Sequence, residues 1–413
     1  MSRHVVVMVT SSYPRFPGDS VGTFMEPIAK SVSARGHEVH VVAPWHPLVT
    51  RPARENGLFF HFYKYAPIER LNVFGYAAAL RADVSLRGAA YLAAPLALAA
   101  GWRAARRVSR DHRATVMHGH WVIPGGAVAA AARGDLPLVV SLHGSDVYVA
   151  ETIALARRVA GFTFRRAGAV TACSADLARR ATALGADPRR VEVVPYGVDT
   201  DRFHPDSLMR AKRRASLGVP AAAPLVFAAG RLVRKKGFEY LIDAIGKLPR
   251  DQGVLAVIAG SGDLAAELQQ RANATGAAER IRFVGNLSQD EVAGWLATAD
   301  IVAIPSVRDD SGNVDGLPNI VLETMASGTP IVTTAAGGIG AVVEHGRTGT
   351  IVAERDATAL ADAIQALARD PEARVRLGEA ARASVQARFG WEVAAARFEA
   401  AYDRALAIGA PRR

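Results

Sequence analysis

Two carboxylates, Asp315 and Glu323, stand eight positions apart across a Gly-Leu-Pro turn, within the run DDSGNVDGLPNIVLETMASGTP from Asp309 to Pro330. The apolar stretch Asp300 to Pro305 predicts a buried strand before them. Ile320 to Ala326 predicts a helix with Ile320, Leu322 and Met325 on its apolar face. Asp315 then lies on the loop entering that helix, and Glu323 lies inside it. The first amides of such a helix lack internal partners and carry the positive end of its dipole, so they suit an anion. A carboxylate within the helix suits sugar hydroxyls. Anion and hydroxyls together describe a nucleotide-sugar. Upstream, Arg231 and Lys236 lie in the run AGRLVRKKG (residues 229–237), which follows one predicted strand and opens a helix. Fixed cations stabilise negative charge as it grows on a departing diphosphate. One unit-charge contact at about 4 Å, at an effective dielectric near 20, is worth roughly 4 kcal/mol.

Other motifs need a plain reading beside the chemical one. Gly260 and Gly262, extended to Ala265, match a dinucleotide fingerprint, G-x-G-x-x-A. They follow the second strand of their series, however, and the first strand of the chain ends in Thr10-Ser11-Ser12-Tyr13 without glycine, so the match is weak. Val284-Gly285-Asn286 ends another strand and reads equally as a turn. His118-Gly119-His120-Trp121 has two histidines but no evident third metal ligand. His143, in SLHGSD (residues 141–146), sits at a strand end, where a hydrogen-bonded histidine is the default. Asp199-Thr200-Asp201 imitates a metal-binding D-x-D, and its PYGVDTDRFHP setting (residues 195–205) reads as a structural turn.

The elements that must position these groups alternate. Strands are predicted at His4 to Thr10, Val39 to Ala43, Thr115 to His118, Leu138 to Leu142, Ala169 to Ala172 and Val191 to Val194. A second series follows at Leu225 to Ala229, Leu255 to Ala259, Ile281 to Val284, Asp300 to Ile304, Pro330 to Thr333 and Gly349 to Val352. Phe24, Ile28 and Val32 repeat at helical spacing up to Gly36, and Phe238 to Leu248 and Ala359 to Leu367 have helical period. Such alternation implies two doubly wound parallel sheets covered by helices, the α/β class. The rhythm breaks near residues 195–222. Trp391, Ala395, Phe398, Tyr402 and Leu406 form one stripe of a final helix.

These residues together resemble the retaining family 4 glycosyltransferases of the GT-B fold, from about residue 4 to residue 402. The resemblance implies two Rossmann-like domains facing a cleft: residues 1–200, joined by the terminal helix (about 391–408) crossing back, and residues 201–390. It places Asp315 at the first position of the family's E-x7-E signature, where the sequence has aspartate instead of glutamate. Asp315 and His143 would contact the donor sugar, Glu323 the ribose, and Arg231 and Lys236 the diphosphate. Gly22 and Thr23 would point amides at the donor from the start of the first helix. Gly260, Gly262 and Asn286 would lie near the nucleotide, and Gly316 and Leu317 would offer backbone amides. His118 and His120 would be acceptor-side or structural. The implied reaction moves a hexose from a nucleotide-sugar to a glycan or lipid-linked acceptor, with retention and with neither metal nor cofactor. A sugar phosphorylase, a nucleotide-sugar epimerase and a non-catalytic nucleotide-sugar binding subunit remain open at this point, since one fold hosts many chemistries. The base, hexose, acceptor and linkage are not specified.

Composition narrows the classes. The 413 residues suffice for two or three domains. Cys173 is the only cysteine, which excludes an intrachain disulfide framework and fits a reducing, cytoplasmic setting. The net charge of +11 is uneven: residues 1–200 hold 24 basic against 14 acidic groups, and the rest 26 against 25. Much of the excess sits in Arg103 to Arg113 and Arg157 to Arg166. Such faces suit an anionic membrane, here the inner face as a peripheral contact, or plain solvation. No recognised nucleic-acid motif accompanies them. Gly88 to Trp102, the longest uncharged stretch, contains Pro95, falls short of a membrane span and reads as a core helix.

Overall fold

Valine- and isoleucine-rich runs without polar alternation demand burial on both faces, and parallel sheets supply it. The computed structural model describes residues 3–409 apart from 20, 73, 76–79, 82–84, 87–88 and 221–222. Ser20 of the first loop and Gly88 of the uncharged stretch therefore lie outside the described residues. The chain divides into two units, Met1–Tyr196 with Trp391–Arg413, and Gly197–Gly390.

In the first unit the strands are β1 (Val5–Val9), β2 (Glu38–Pro44), β3 (Arg54–Glu55), β4 (Leu58–Tyr63), β7 (Val116–His120), β8 (Leu138–Leu142), β9 (Ala169–Ala172) and β10 (Val191–Val193). Two further short strands, β5 (Leu80–Arg81) and β6 (Ser85–Leu86), pair only with each other. The main sheet runs β10-β9-β8-β7-β1-β2-β4-β3 and is parallel except for the β3–β4 hairpin. That hairpin is absent from the sequence reading. Its signal was present: Asn56 and Gly57 both take positive φ, 50° and 78°, the conformation an Asn-Gly hairpin turn requires.

The final helix, Trp391–Gly409, packs within this first unit. Its buried side carries Ala395, Phe398, Tyr402 and Ala405, so the expected stripe holds at its centre, while Trp391 and Leu406 are only half-buried. Gly168 lets it approach, since a Cβ there would meet the Ala405 backbone at 2.8 Å. Polar contacts fix its register. The Tyr402 hydroxyl lies 2.9 Å from His118 Nδ1, Arg35 donates to Glu399 at 2.6 Å, and His4 meets Asp403 at 3.1 Å. The helix Ala89–Asp111 is buried along one face by Ala97, Ala105 and Val108, but Leu96 is 59% exposed. It is thus a surface helix rather than the expected core helix, and its arginines face solvent. No helix among the described residues is long and apolar enough to cross a membrane.

In the second unit β11 (Leu225–Ala229), β12 (Leu255–Ala259), β13 (Ile281–Phe283), β14 (Ile301–Ile304), β15 (Ile331–Thr334) and β16 (Thr350–Val352) form one parallel sheet in the order β13-β12-β11-β14-β15-β16. The sequence-predicted strands end within about two residues of those observed. The winding reverses between β11 and β14, so the loops leaving these neighbouring strands diverge. Such a switch point opens a crevice at the strands' carboxyl ends. Beneath it, Leu241, Ile242 and Ile245 of the helix Phe238–Lys247 pack on Val226, Ala256 and Ile258.

Truncating that core should be costly. Leu241→Ala is expected to lower the unfolding free energy of the second unit by about 2–5 kcal/mol. Leu208→Ala, at a side chain 83% exposed, should change it by less than about 0.5 kcal/mol. Urea unfolding followed by fluorescence reads both.

Candidate functional site

The β11 loop turns on two glycines. Gly230 releases the chain from the strand, and Gly237 adopts φ 64° before the helix Phe238–Lys247. A Cβ on Gly237 would fall 2.0 Å from the Pro305 carbonyl oxygen, so only glycine lets this loop lie against the end of β14. Between them, Lys235 is buried and Lys236 half-buried. Both reach one carboxylate. Lys235 Nζ lies 2.9 Å from Asp315 Oδ1, and Lys236 Nζ lies 2.6 Å from Asp315 Oδ2. Burial alone would push the Asp315 carboxyl up, but the two ammonium groups outweigh it and hold the carboxyl well below the usual carboxylate range. Arg231 is exposed to solvent yet crowded by protein atoms; this crowding lowers its pKa, with the Asp315 charge opposing. A guanidinium remains charged under such a shift.

Three cations and one carboxylate therefore meet where the β11 and β14 loops diverge. Lys235, which the sequence reading did not single out, is the most buried of the cations. Its only signal was a place in a run of three basic residues, which looks like a solvated turn.

The β14 loop enters the helix Asn319–Ala326 through Gly316, Leu317 and Pro318. Among the described residues, the amides of Gly316, Leu317, Asn319 and Ile320 donate no hydrogen bond. They are the open donors that a helix start presents to an anion. Gly337 of the neighbouring loop permits this course, because a Cβ there would sit 1.9 Å from the Asp315 carbonyl oxygen. The helix is buried on more sides than its predicted apolar face, with Val321 and Thr324 also inside.

Glu323 is half-exposed on that helix, as is Asn319 at its start. Burial raises its carboxyl to about 7, against a smaller pull downward from Arg202 and Lys236. Its carboxylate has no hydrogen-bond or salt-bridge partner among the described residues, while its carbonyl accepts from the Ser327 amide and hydroxyl at 3.0 and 2.9 Å. Arg202, whose guanidinium bonds Gln289 at 2.7 Å, sits in the turn read as structural. That turn behaves so: Asp199 Oδ1 accepts from the Asp201 and Arg202 amides at 3.1 and 3.0 Å.

Gly260 and Gly262 serve the packing of these loops. A Cβ on Gly260 would lie 1.8 Å from the Gly230 carbonyl oxygen, and one on Gly262 would lie 2.5 Å from that of Leu232. Leu232 N donates to Ser261 O at 2.9 Å, and Gly260 N to Gly285 O at 2.7 Å. The Gly260 amide is therefore already engaged. Asn286 is exposed at the end of β13.

Within the first unit, His143 follows β8 and stands in an aromatic cluster with Phe24, Trp121 and Tyr196. Its Nδ1 lies 2.6 Å from the Tyr196 hydroxyl and its Nε2 lies 3.2 Å from His120 Nδ1. Both nitrogens are engaged, and burial keeps the ring neutral. The Tyr196 and His120 contacts fix the orientation of this imidazole. Asp146 anchors the turn, accepting from the amides of Val122, His143 and Gly144 at 2.7, 3.2 and 2.9 Å. His118 is buried between Tyr402 and Ser141, at 2.9 and 2.7 Å, so it belongs to the core. Gly22 takes φ 65°, and Thr23 follows it just ahead of the helix Met25–Ala34.

Comparison with known proteins adds to this geometry. The family described as Glycosyltransferase Family 4 matches residues 21–202, and that described as Glycosyl transferases group 1 matches residues 209–384. A D-inositol 3-phosphate glycosyltransferase of Xylanimonas cellulosilytica is 34% identical over 70% of this chain and 72% of that protein. A GDP-mannose-dependent alpha-(1-6)-phosphatidylinositol monomannoside mannosyltransferase of Mycobacterium tuberculosis is 32% identical over 71% and 76%. Among solved structures, Anabaena HepE in complex with UDP superposes with a TM-score of 0.76 at 21% identity, covering 96% of this chain and 98% of that one. Sucrose-phosphate synthase from Thermosynechococcus elongatus reaches 0.79 at 20% identity, covering 98% and 100%. These two share the GT-B fold with this chain.

The Glu323 carboxyl makes a pH prediction. Its folded value, about 7, exceeds the ordinary 4.5, so the folded protein binds this proton more tightly than the unfolded chain. The resulting stabilisation is complete below about pH 4.5 and is lost as the pH rises through about 7. Glu323→Gln removes this titration. The substituted protein should gain stability over the parent between pH 5 and 8, by on the order of 2 kcal/mol, read from melting curves across that range. Parallel curves would show that Glu323 titrates normally.

Proposed function

The chain belongs to the family 4, group 1 glycosyltransferases, which take nucleotide-sugar donors and retain anomeric configuration, and from that premise we propose that it transfers a hexose to a hydroxyl of a lipid-linked glycan. The observation that carries the proposal is the Arg231, Lys235, Lys236 and Asp315 cluster at the β11–β14 switch point, beside the open amides of Gly316, Leu317, Asn319 and Ile320. A diphosphate needs fixed positive charge and free N–H donors together, and both are there.

In this reading Arg231 and Lys236 hold the diphosphate as the bond between the sugar C1 and the phosphate oxygen breaks. Negative charge grows on the leaving oxygen while the cations stay in place, so they stabilise the transition state more than the bound substrate. No metal ion is assigned a step. The acceptor oxygen bonds to C1 from the face the diphosphate leaves, and its proton passes to a diphosphate oxygen. Asp315 holds Lys236 in place and presents its remaining lone pairs to the hexose. The Glu323 carboxylate, lacking a protein partner, accepts from the ribose hydroxyls. Gly316 and Leu317 donate amides. Gly22, Thr23 and His143 keep the donor-facing roles that the resemblance implies, as does Asn286 for the base.

The acceptor class rests on two supports. One is the phosphatidylinositol glycoside named for the mycobacterial relative. The other is the row of exposed arginines, Arg103, Arg106, Arg107 and Arg110, along the helix Ala89–Asp111, which suits peripheral attachment to anionic lipid at the cytoplasmic face.

Arg231→Ala and Lys236→Ala should each reduce kcat by about 100- to 1000-fold with the fold intact, and Lys236→Ala should also lower the melting temperature because it takes one ammonium partner from Asp315. Turnover within threefold of the parent in either would remove the leaving-group assignment. Thermal shift against GDP-mannose, UDP-glucose and other nucleotide hexoses identifies the donor by the largest rise, and GDP-mannose is expected to lead. Transfer should continue in a chelator. Its abolition would overturn the metal-free chemistry.

A further inference from the structure

Three histidines far apart in sequence meet on the first unit's sheet. His40 lies on β2 and His61 on β4. His112 follows the helix Ala89–Asp111, which covers this part of the sheet. In the β2–β4 register His40 pairs with Phe59, and Val42 with His61. Residues two apart on a strand share a face, so both imidazoles rise from the same side. The ring of His40 lies 4.0 Å from that of His112 and 5.3 Å from that of His61. One nitrogen from each ring can be chosen so that all three lie within 4.8 Å of one another.

We infer that His40, His61 and His112 form a binding site for one divalent ion of the imidazole-preferring class, with Zn2+ as its representative. Nothing in the glycosyl transfer uses these residues. Counting strand rise and spacing, His40 stands roughly 20 Å from His143.

The chemistry of the set fits in several respects. Imidazole nitrogen is a preferred ligand of zinc, and three histidines with a fourth, open position form a recurrent arrangement. His40 Nε2 lies 2.9 Å from Glu38 Oε1 and its Nδ1 lies 3.0 Å from His61 Nε2. With the Nε2 proton donated to Glu38, His40 turns an unprotonated Nδ1 toward His61. This carboxylate–histidine pair is the arrangement that orients a metal-bound imidazole and raises its basicity. Metal would replace the single proton now shared between His40 and His61. Ligand nitrogens around tetrahedral zinc stand about 3.3 Å apart, so the His40–His61 spacing is nearly right and His112 needs a small side-chain adjustment.

Burial lowers the pKa of both inner rings, that of His61 to about 4, aided by the charges of His40, His112 and Arg107. Arg107 opposes a further positive charge here and Glu38 favours it. His40 is fully enclosed, with Phe59 stacked on it, and His112 is exposed. The exposed side gives an ion its entry path and leaves room for a water.

The test uses the full chain without a polyhistidine tag, stripped with chelator and dialysed. Isothermal titration with Zn2+ should give one equivalent bound at or below about 1 µM, and saturating Zn2+ should raise the melting temperature by several degrees. His61→Ala and His112→Ala should each abolish that binding. Because His112 is exposed, its substitution should leave the metal-free melting temperature unchanged, which separates ligand loss from misfolding. Glu38→Gln should weaken binding by about 10- to 100-fold. Failure to bind one equivalent, or binding that survives either histidine substitution, overturns the assignment. These readouts do not involve the sugar donor, so they succeed or fail independently of the proposed transfer.

Discussion

The second unit is organised around one carboxylate held between two ammonium groups. Lys235 is nearly out of water, and an unpaired charge there would cost several kcal/mol. Asp315 supplies the pairing and binds Lys236 with its other oxygen. The same contact joins the β11 loop to the β14 loop, so electrostatics and chain geometry are satisfied together. The result is a cluster of basic side chains next to a helix start with open amides. A diphosphate leaving group needs that environment. The aspartate in place of the family's glutamate is consistent with the tight clamp, since a shorter side chain meets both lysines without folding back.

That clamp depends on backbones lying closer than side chains would allow. Gly230, Gly237, Gly260, Gly262 and Gly337 stand where the loops after β11, β12, β14 and β15 come together. Four of them, all but Gly230, would place a Cβ within 2.5 Å of a neighbouring backbone oxygen. Gly260 and Gly262, legible as a possible nucleotide contact, thus bring the Arg231 loop into position. Their effect on the donor would be exerted through that loop.

In the first unit, burial makes histidine neutral and hydrogen bonding fixes its orientation. His118, His120 and His143 form a series of touching rings from the core outward, joined to Ser141, Tyr196 and Tyr402. The final helix supplies Tyr402, so the last part of the chain helps hold the residue next to the strand ends. Burial shifts His40 and His61 downward in the same way on another part of the sheet, where the exposed His112 joins them. The same physical cause therefore serves a packed series of rings in one place and a potential ligand set in another.

Much was legible in the sequence because it was local. Runs such as Val5–Val9 and Leu255–Ala259 announce doubly buried strands through side-chain type alone, and their alternation with helical periods determines a parallel α/β chain. The E-x7-E-like spacing of Asp315 and Glu323, and the basic loop holding Arg231 and Lys236, likewise carry their chemistry within a few residues. The β3–β4 hairpin was missed although its Asn-Gly turn was visible, because the aromatic run LFFHFY lacks the alternating helix that marked the other strands. Tertiary structure alone decided the rest. Lys235 differs from Lys236 only in which way each side chain leaves the turn, and no pattern of residue types records that. The raised Glu323 carboxyl, the two engaged nitrogens of His143 and the meeting of His40, His61 and His112 all arise from neighbours 20 to 120 positions away, or from burial itself. Sequence spacing conveys what a segment can do; solvent exclusion and long-range pairing determine which of its charged and polar groups are left free to do it.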